Sequence, residues 1–386
     1  MGRFNKLVDR LSWFFRRKED DFQKPVVFTE NFYNTNFNKN ALLCYLVDPF
    51  INPDHFFYHT NRLESKALGD VLNALGFNVD VVNFDTFNFE FKKKYDLLLG
   101  FGQPFEEVLF KQDKTFKLIL YRNGTEQGFT ENISLKKMQH FYSKYGKILP
   151  ESVPIYPFCL RTQVAFADKV ITLGNEWVSD TYKDLNKNTV NLNLMFHDVG
   201  SIDLEKKDFE NCKNNFIWFG SNGAIRKGLD LTLEYFKNNP SKYLYICGLN
   251  QSEYRFKQLF DDAFNMPNVK NLGFIKMESI EFFELMNKCC AAIFPTCWEA
   301  GGGAMLNLIA CAGLIPIVPE NIGLDFKNHE IFIEDIFEDN CIQKAMIKYD
   351  SLTAKQIKKN SYFLRQYIRE NHTMADFSSN LKRILA

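Results

Sequence analysis

Residues 296–318 read Thr296-Cys297-Trp298-Glu299-Ala300-Gly301-Gly302-Gly303-Ala304-Met305-Leu306-Asn307-Leu308-Ile309-Ala310-Cys311-Ala312-Gly313-Leu314-Ile315-Pro316-Ile317-Val318. The order is an apolar strand end, an acid, three glycines, a helix and a second apolar strand, as a layered α/β sheet requires. Gly301, Gly302 and Gly303 let the main chain turn tightly and come close to a ligand, and the helix that starts there aims its unpaired N–H groups into the gap. Such a pocket suits a phosphate. Glu299, at the lip of the turn, accepts hydrogen bonds from hydroxyls and repels a phosphate, so a fitting ligand carries the two groups at opposite ends. A nucleotide sugar is such a ligand. The plain alternative is an ordinary strand-to-helix connection whose glycines serve packing alone.

A second stretch, 215–230, repeats the logic: an apolar strand, the loop Gly220-Ser221-Asn222-Gly223, the basic pair Arg226-Lys227, then a helix. A cation beside a helix amino end holds a diphosphate by point charge and neutralises a leaving group as a glycosidic bond breaks. Gly220 and Gly223 open the same cradle. Taken alone, the basic pair also reads as a solvated helix start.

Together the two loops resemble the carboxy-terminal domain of retaining glycosyltransferases of the GT-B architecture, the group that builds bacterial surface polysaccharides. The resemblance covers residues 216–331. It rests on a glycine loop ending in Lys227-Gly228, a strand ending at Gly248, the run Asn268-Val269 to Gly273-Phe274, a strand ending in Pro295-Thr296, the segment from Glu299, and the turn at Gly313. It implies an α/β fold of two Rossmann-like doubly wound domains facing across a cleft. It gives Glu299 the donor sugar and Lys227 the diphosphate. The family's acid-x7-acid pattern places a second carboxylate, for the nucleotide ribose, where this chain has Asn307; an amide there makes a hydrogen bond without charge assistance. The family also often has Arg after the first glycine of the upstream loop, where this chain has Ser221, and Arg226 is the nearby cation that stands in for it.

Composition narrows the class. A chain of 386 residues is long enough for two domains, and its 47 Lys plus Arg balance 47 Asp plus Glu. A protein relying on nucleic-acid phosphates would be basic, so that class is set aside. The nine cysteines include no Cys-x-x-Cys pair and no His at zinc-ligand spacing, which reads as reduced, buried thiols and no metal cluster. No stretch approaches the roughly eighteen apolar residues of a membrane span, and no amino-terminal run reads as a secretory signal. The expected location is cytoplasmic.

The amino terminus adds a membrane reading. Phe4, Leu7, Val8, Leu11, Phe14 and Phe15 fall on one helical face, and Arg3, Lys6, Arg10, Arg16 and Arg17 on the other, with Trp13 on the polar side. This suits a helix lying on an anionic membrane surface through residues 1–18, peripheral to the inner face of the membrane, or one docked on the protein's own core. The expected organisation is an amphipathic basic segment at 1–24, an acceptor domain at 25–204, a donor domain at 205–362, and a terminal helix at 363–386 that the resemblance sends back to the first domain. In the first domain, strands are expected at 41–47, 78–84, 95–100, 116–121 and 169–173, with a helix at 61–75; at the end of the chain, 355–371 and 373–385 read as two helices joined near His372.

Which first-domain residue meets the acceptor is open among three. His59 leads, because an imidazole in a strand-to-helix loop bonds a hydroxyl or shuttles a proton. Glu126, in a glycine loop after a strand, and His197 follow. The partners implied are a nucleotide-sugar donor, used as substrate rather than cofactor, and a saccharide or lipid-linked acceptor. No Asp-x-Asp metal-holding motif occurs, so metal dependence is not expected. A nicotinamide dehydrogenase is set aside because Gly100-Phe101-Gly102 lacks the third glycine of its fingerprint. A catalytically inactive sugar-binding or scaffold protein, suggested by Asn307, and a nucleotide-sugar epimerase sharing the fold both stay open.

Overall fold

The computed structural model describes residues 27–52, 60–111, 116–154 and 160–386. The amphipathic segment at 1–24 and His59 lie outside them. The described chain divides into two compact units: one from 27–122, Leu160–Ile171 and Asn380–Ala386, the other from 123–154 and Thr172–Ser379.

The first sheet comprises β1 (Phe28–Thr29), β2 (Lys39–Tyr45), β3 (Phe77–Asn83), β4 (Leu97–Gly100), β5 (Lys117–Arg122), β6 (Lys169–Leu173) and β7 (Thr189–Leu192), in the order β1-β3-β2-β4-β5-β6-β7. β2 pairs parallel to both β3 and β4, and β4 parallel to β5. The short edge strand β1 runs antiparallel to β3. The five strands and the helix expected from the sequence are all present within a few residues. β4 is buried along its whole length, as continuous apolar runs covered on both faces should be.

The helix Thr60–Ala74 turns Leu63, Ala67, Leu68, Val71 and Leu72 inward, an i, i+4 stripe that includes one acid, Glu64. The Glu64 carboxylate accepts from the hydroxyls of Tyr45 at 2.9 Å and Tyr121 at 3.2 Å. Burial pushes its carboxyl up to about 7, with the two tyrosine hydrogen bonds opposing the rise.

The second sheet holds β8 (Asn215–Phe219), β9 (Tyr243–Cys247), β10 (Val269–Gly273), β11 (Ala291–Ile293), β12 (Ile315–Pro319) and β13 (Ile331–Ile333), ordered β10-β9-β8-β11-β12-β13, with every neighbouring pair parallel. The strand order reverses between β8 and β11, the switch point at which doubly wound sheets bind ligands outside their carboxyl ends. The loops after these two strands are the two stretches singled out in the sequence.

A helix that the sequence reading does not place, Gln127–Tyr145, belongs to this unit. It is capped by Glu126, whose carboxylate accepts from the Phe129 amide at 3.1 Å. Its buried face carries Ser134, Lys137 and Phe141, and Lys137 meets Asp230 at 3.0 Å with both side chains at most 2% exposed. Helices Ala354–Asn371 and Met374–Leu385 follow the expected bounds, the first opened by a capping box of Thr353 and Gln356. All eight described cysteines are free, and seven are buried. Among the described residues, no helix is long and apolar enough to cross a membrane.

Candidate functional site

The loop after β8 and the loop after β11 are zipped together by their main chains. Cys297 N donates to Arg226 O at 2.8 Å. Gly228 has φ of 70°, and a Cβ there would stand 2.1 Å from Pro295 O, so only glycine permits this approach. The two stretches, some seventy residues apart in sequence, therefore form one site.

Glu299 is held by its backbone, which donates to Asn321 O at 3.1 Å and accepts from Gly323 N at 2.7 Å. Its side chain is left 24% exposed and approaches Arg226 Nη1 at 3.7 Å. That distance is a loose ion pair, and both partners keep hydrogen-bonding capacity for a ligand. Arg226 lies on the Trp298 ring, its guanidinium carbon 4.5 Å from the centroid, and donates to Trp298 O at 3.0 Å.

Lys227 is 7% exposed and donates to Ser221 Oγ at 2.6 Å. Burial brings its ammonium down to about 8; the Arg226 charge adds to the fall, and Glu299 and Glu253 oppose it. Ser221, where the family often has arginine, is thus the lysine's hydrogen-bond partner.

Gly302 is the N-cap of the helix Gly303–Ala312, with φ of 60° and room for no side chain: a Cβ would come within 2.5 Å of Leu324 Cδ1. A Cβ on Gly301 would stand 3.0 Å from Leu194 Cδ2. Among the described residues, no acceptor engages the amides of Gly302 and Gly303. They are free donors at a helix amino end.

Gly220 and Gly223 behave differently. Gly220 N donates to Cys247 O at 3.0 Å, and a Cβ there would strike the Trp218 ring. Gly223 N and Ala224 N both donate to Glu253 Oε1, at 2.7 and 3.1 Å, while Ser152 donates to the other carboxylate oxygen. The fully buried Glu253 is a clasp on the loop. It stands 30 residues beyond Gly223, and no spacing in the sequence points to it.

Asn307 is 2% exposed, and its Oδ1 accepts from the backbone N–H of His197 at 2.7 Å. His197 is itself buried, and that burial lowers its imidazole below the usual range. Glu126 is occupied as a helix cap. The structure thus brings Arg226, Lys227, Ser221, Glu299 and the Gly301–Gly303 turn into one site, with Asn307 and His197 joined to each other.

The sheets, their order and this site define the GT-B fold. Solved structures confirm it: the chain matches a sucrose-phosphate synthase from Thermosynechococcus elongatus with a TM-score of 0.61, at 13% identity over 90% of this chain and 98% of that one. It also matches a glycosyltransferase from Rickettsia africae, with a TM-score of 0.54 and 13% identity over 90% and 99% of the two chains. A third match is HepE from Anabaena in complex with UDP and glucose, with a TM-score of 0.52 and 13% identity over 91% and 99%. No protein-family model matches the sequence, and no curated protein sequence does.

Proposed function

We propose that the chain is a glycosyltransferase that moves a sugar from a nucleoside-diphosphate sugar to a saccharide or lipid-linked acceptor, with retention of configuration, in surface-glycan assembly. The observation that carries the reading is the single site made of two loops, which gathers Arg226, Lys227, the free amides of Gly302 and Gly303 and the half-buried Glu299 carboxylate, itself 3.7 Å from Arg226. The cations and amides suit a diphosphate, and the carboxylate suits sugar hydroxyls. The neighbouring fold that holds UDP and glucose fits this donor class.

In this reading the bond from the anomeric carbon to the diphosphate oxygen breaks, and the nucleoside diphosphate leaves with the electron pair. Lys227, Arg226 and the helix amides meet the charge that builds there, which lowers the barrier without a protein nucleophile. The acceptor hydroxyl forms the new bond to the anomeric carbon, and its proton passes to the departing diphosphate oxygen. His59 is the acceptor-side candidate, the donor is held without a divalent metal, and residues 1–18 bring the enzyme to a membrane surface where lipid-linked acceptors lie.

Asn307 favours a second reading. Its amide oxygen is committed to His197, so the ribose contact that the family makes with an acid is weakened, and a sugar-binding protein without turnover would tolerate this. A thermal-shift panel with UDP, GDP, ADP and CMP and their sugar conjugates tests the donor site. Stabilisation by one nucleotide family, lost in Lys227→Ala, supports it. No shift with any of them argues against it, and binding without sugar release over long incubation favours the second reading.

A further inference from the structure

We infer that Trp298 and Ser134 are positioning residues that fix Arg226 as the second phosphate-facing cation of this site. The inference rests on the donor reading above.

An arginine on a loop is a long side chain with several free rotations, and holding it in one orientation costs entropy unless its surroundings hold it. Trp298 supplies that support in two ways. Its ring lies against the guanidinium at 4.5 Å, and its carbonyl accepts one guanidinium N–H at 3.0 Å. That carbonyl also accepts from Thr296 Oγ1 at 2.7 Å, so it is itself fixed in direction. Among the described residues, the remaining contact of the guanidinium is the loose approach to Glu299 at 3.7 Å. The side chain is 10% exposed, and its other N–H groups make no hydrogen bond among the described residues.

The tryptophan is in turn held from outside the two glycine loops. Its indole N–H donates to Ser134 Oγ at 3.1 Å, and Ser134 is fully buried on the helix Gln127–Tyr145. One turn further along the same buried face, Lys137 pairs with Asp230 at 3.0 Å. Asp230 lies in the first turn of the helix Leu229–Lys237, which follows Lys227. Arg226 N also donates to Ser152 O at 3.0 Å. The segment 127–152 thus braces the basic pair from behind at three points, and Ser134-Trp298 is the branch that reaches the guanidinium. Where the related family carries an arginine on the loop, this chain has Ser221, and the Ser134-Trp298 brace gives Arg226 a defined place in its stead.

The test is a double-mutant cycle read by calorimetric titration of the full chain with UDP, GDP and ADP, together with the KM and kcat of sugar release from the matching donors. Trp298→Ala should weaken binding of the preferred diphosphate about tenfold; Trp298→Phe, which keeps a ring face, and Ser134→Ala, which removes only the acceptor, should each weaken it about threefold. Trp298→Ala should add nothing in an Arg226→Ala background. Effects on KM should exceed those on kcat in Ser134→Ala. Wild-type affinity in Trp298→Ala, or an undiminished effect of Trp298→Ala without Arg226, overturns the inference while leaving the donor reading intact. A wild-type chain that binds none of the three diphosphates overturns both. Should Trp298→Ala lose its fold by circular dichroism, the cycle is read from Trp298→Phe and Ser134→Ala, whose effects must likewise vanish in Arg226→Ala.

Discussion

Lys227 joins function and stability with opposite signs. Its ammonium is brought from 10.5 down to about 8 by burial. That difference, at about 1.4 kcal/mol for each tenfold change, makes the charged side chain cost the folded state about 3 kcal/mol at neutral pH. Replacing it with methionine of similar length removes the cost and leaves Ser221, which is exposed, to water. Lys227→Met should therefore be more stable than wild type by about 2–3 kcal/mol at pH 7, while losing diphosphate binding. The sign with pH follows from proton counts. Between about 8 and 10.5 the unfolded chain holds a proton that the folded chain has released, so wild-type stability rises across this window and the variant's advantage shrinks. Over the same rise, diphosphate affinity of the wild type should fall as the ammonium is lost. Urea unfolding of both proteins at pH 7, 8.5 and 10, with nucleotide titrations alongside, measures both effects. A variant no more stable than wild type at pH 7, or an advantage that stays constant to pH 10, would show that the buried ammonium carries no such cost.

Glu64 should show the mirror case. With its carboxyl held up to about 7, stability relative to Glu64→Gln is lost as pH rises from about 4.5 through 7, by about 3 kcal/mol, because the unfolded chain ionises first; parallel denaturation curves for the two proteins across that range would contradict this. Gly302→Ala places a Cβ in a left-handed residue 2.5 Å from Leu324 and should cost about 1–3 kcal/mol, read from the urea midpoint. A midpoint unchanged from wild type would show that the turn relaxes without glycine. Asn307→Asp keeps an acceptor for His197 N–H and restores the family's second carboxylate; because that carboxylate would be only 2% exposed, it should lower the melting temperature of the free protein while tightening nucleotide-sugar binding about fivefold. Weaker binding would mean that the ribose lies elsewhere.

Much of this architecture was legible because parallel strands buried on both faces read as continuous apolar runs. β6 and the two terminal helices lie within a residue or so of their expected bounds. The glycines were legible too, since Gly228, Gly302 and Gly313 each sit at positive φ where a strand and a helix meet closely. The helix Gln127–Tyr145 was not, because its buried face is Ser134, Lys137 and Phe141, and a stripe of polar residues carries no apolar period. The Glu253 clasp and the Lys137-Asp230 pair join residues 30 and 93 apart, and only the fold brings such carboxylates to their donors. Glu126 read as a loop acid facing a ligand because N-cap residues and ligand-binding residues share the same glycine-rich, strand-to-helix context.

In the proposed reading, a sugar passes from a nucleoside-diphosphate donor at a site built on Lys227, Arg226 and Glu299. The most direct measurement is release of nucleoside diphosphate from a panel of nucleotide sugars with simple glycoside acceptors, followed by anomeric analysis of the product by NMR, for wild type and Glu299→Ala. Release should depend on acceptor, keep the donor's anomeric configuration and fall by about two orders of magnitude in the variant. An inverted product, an isomerised donor without transfer, or equal rates in the two proteins would contradict it.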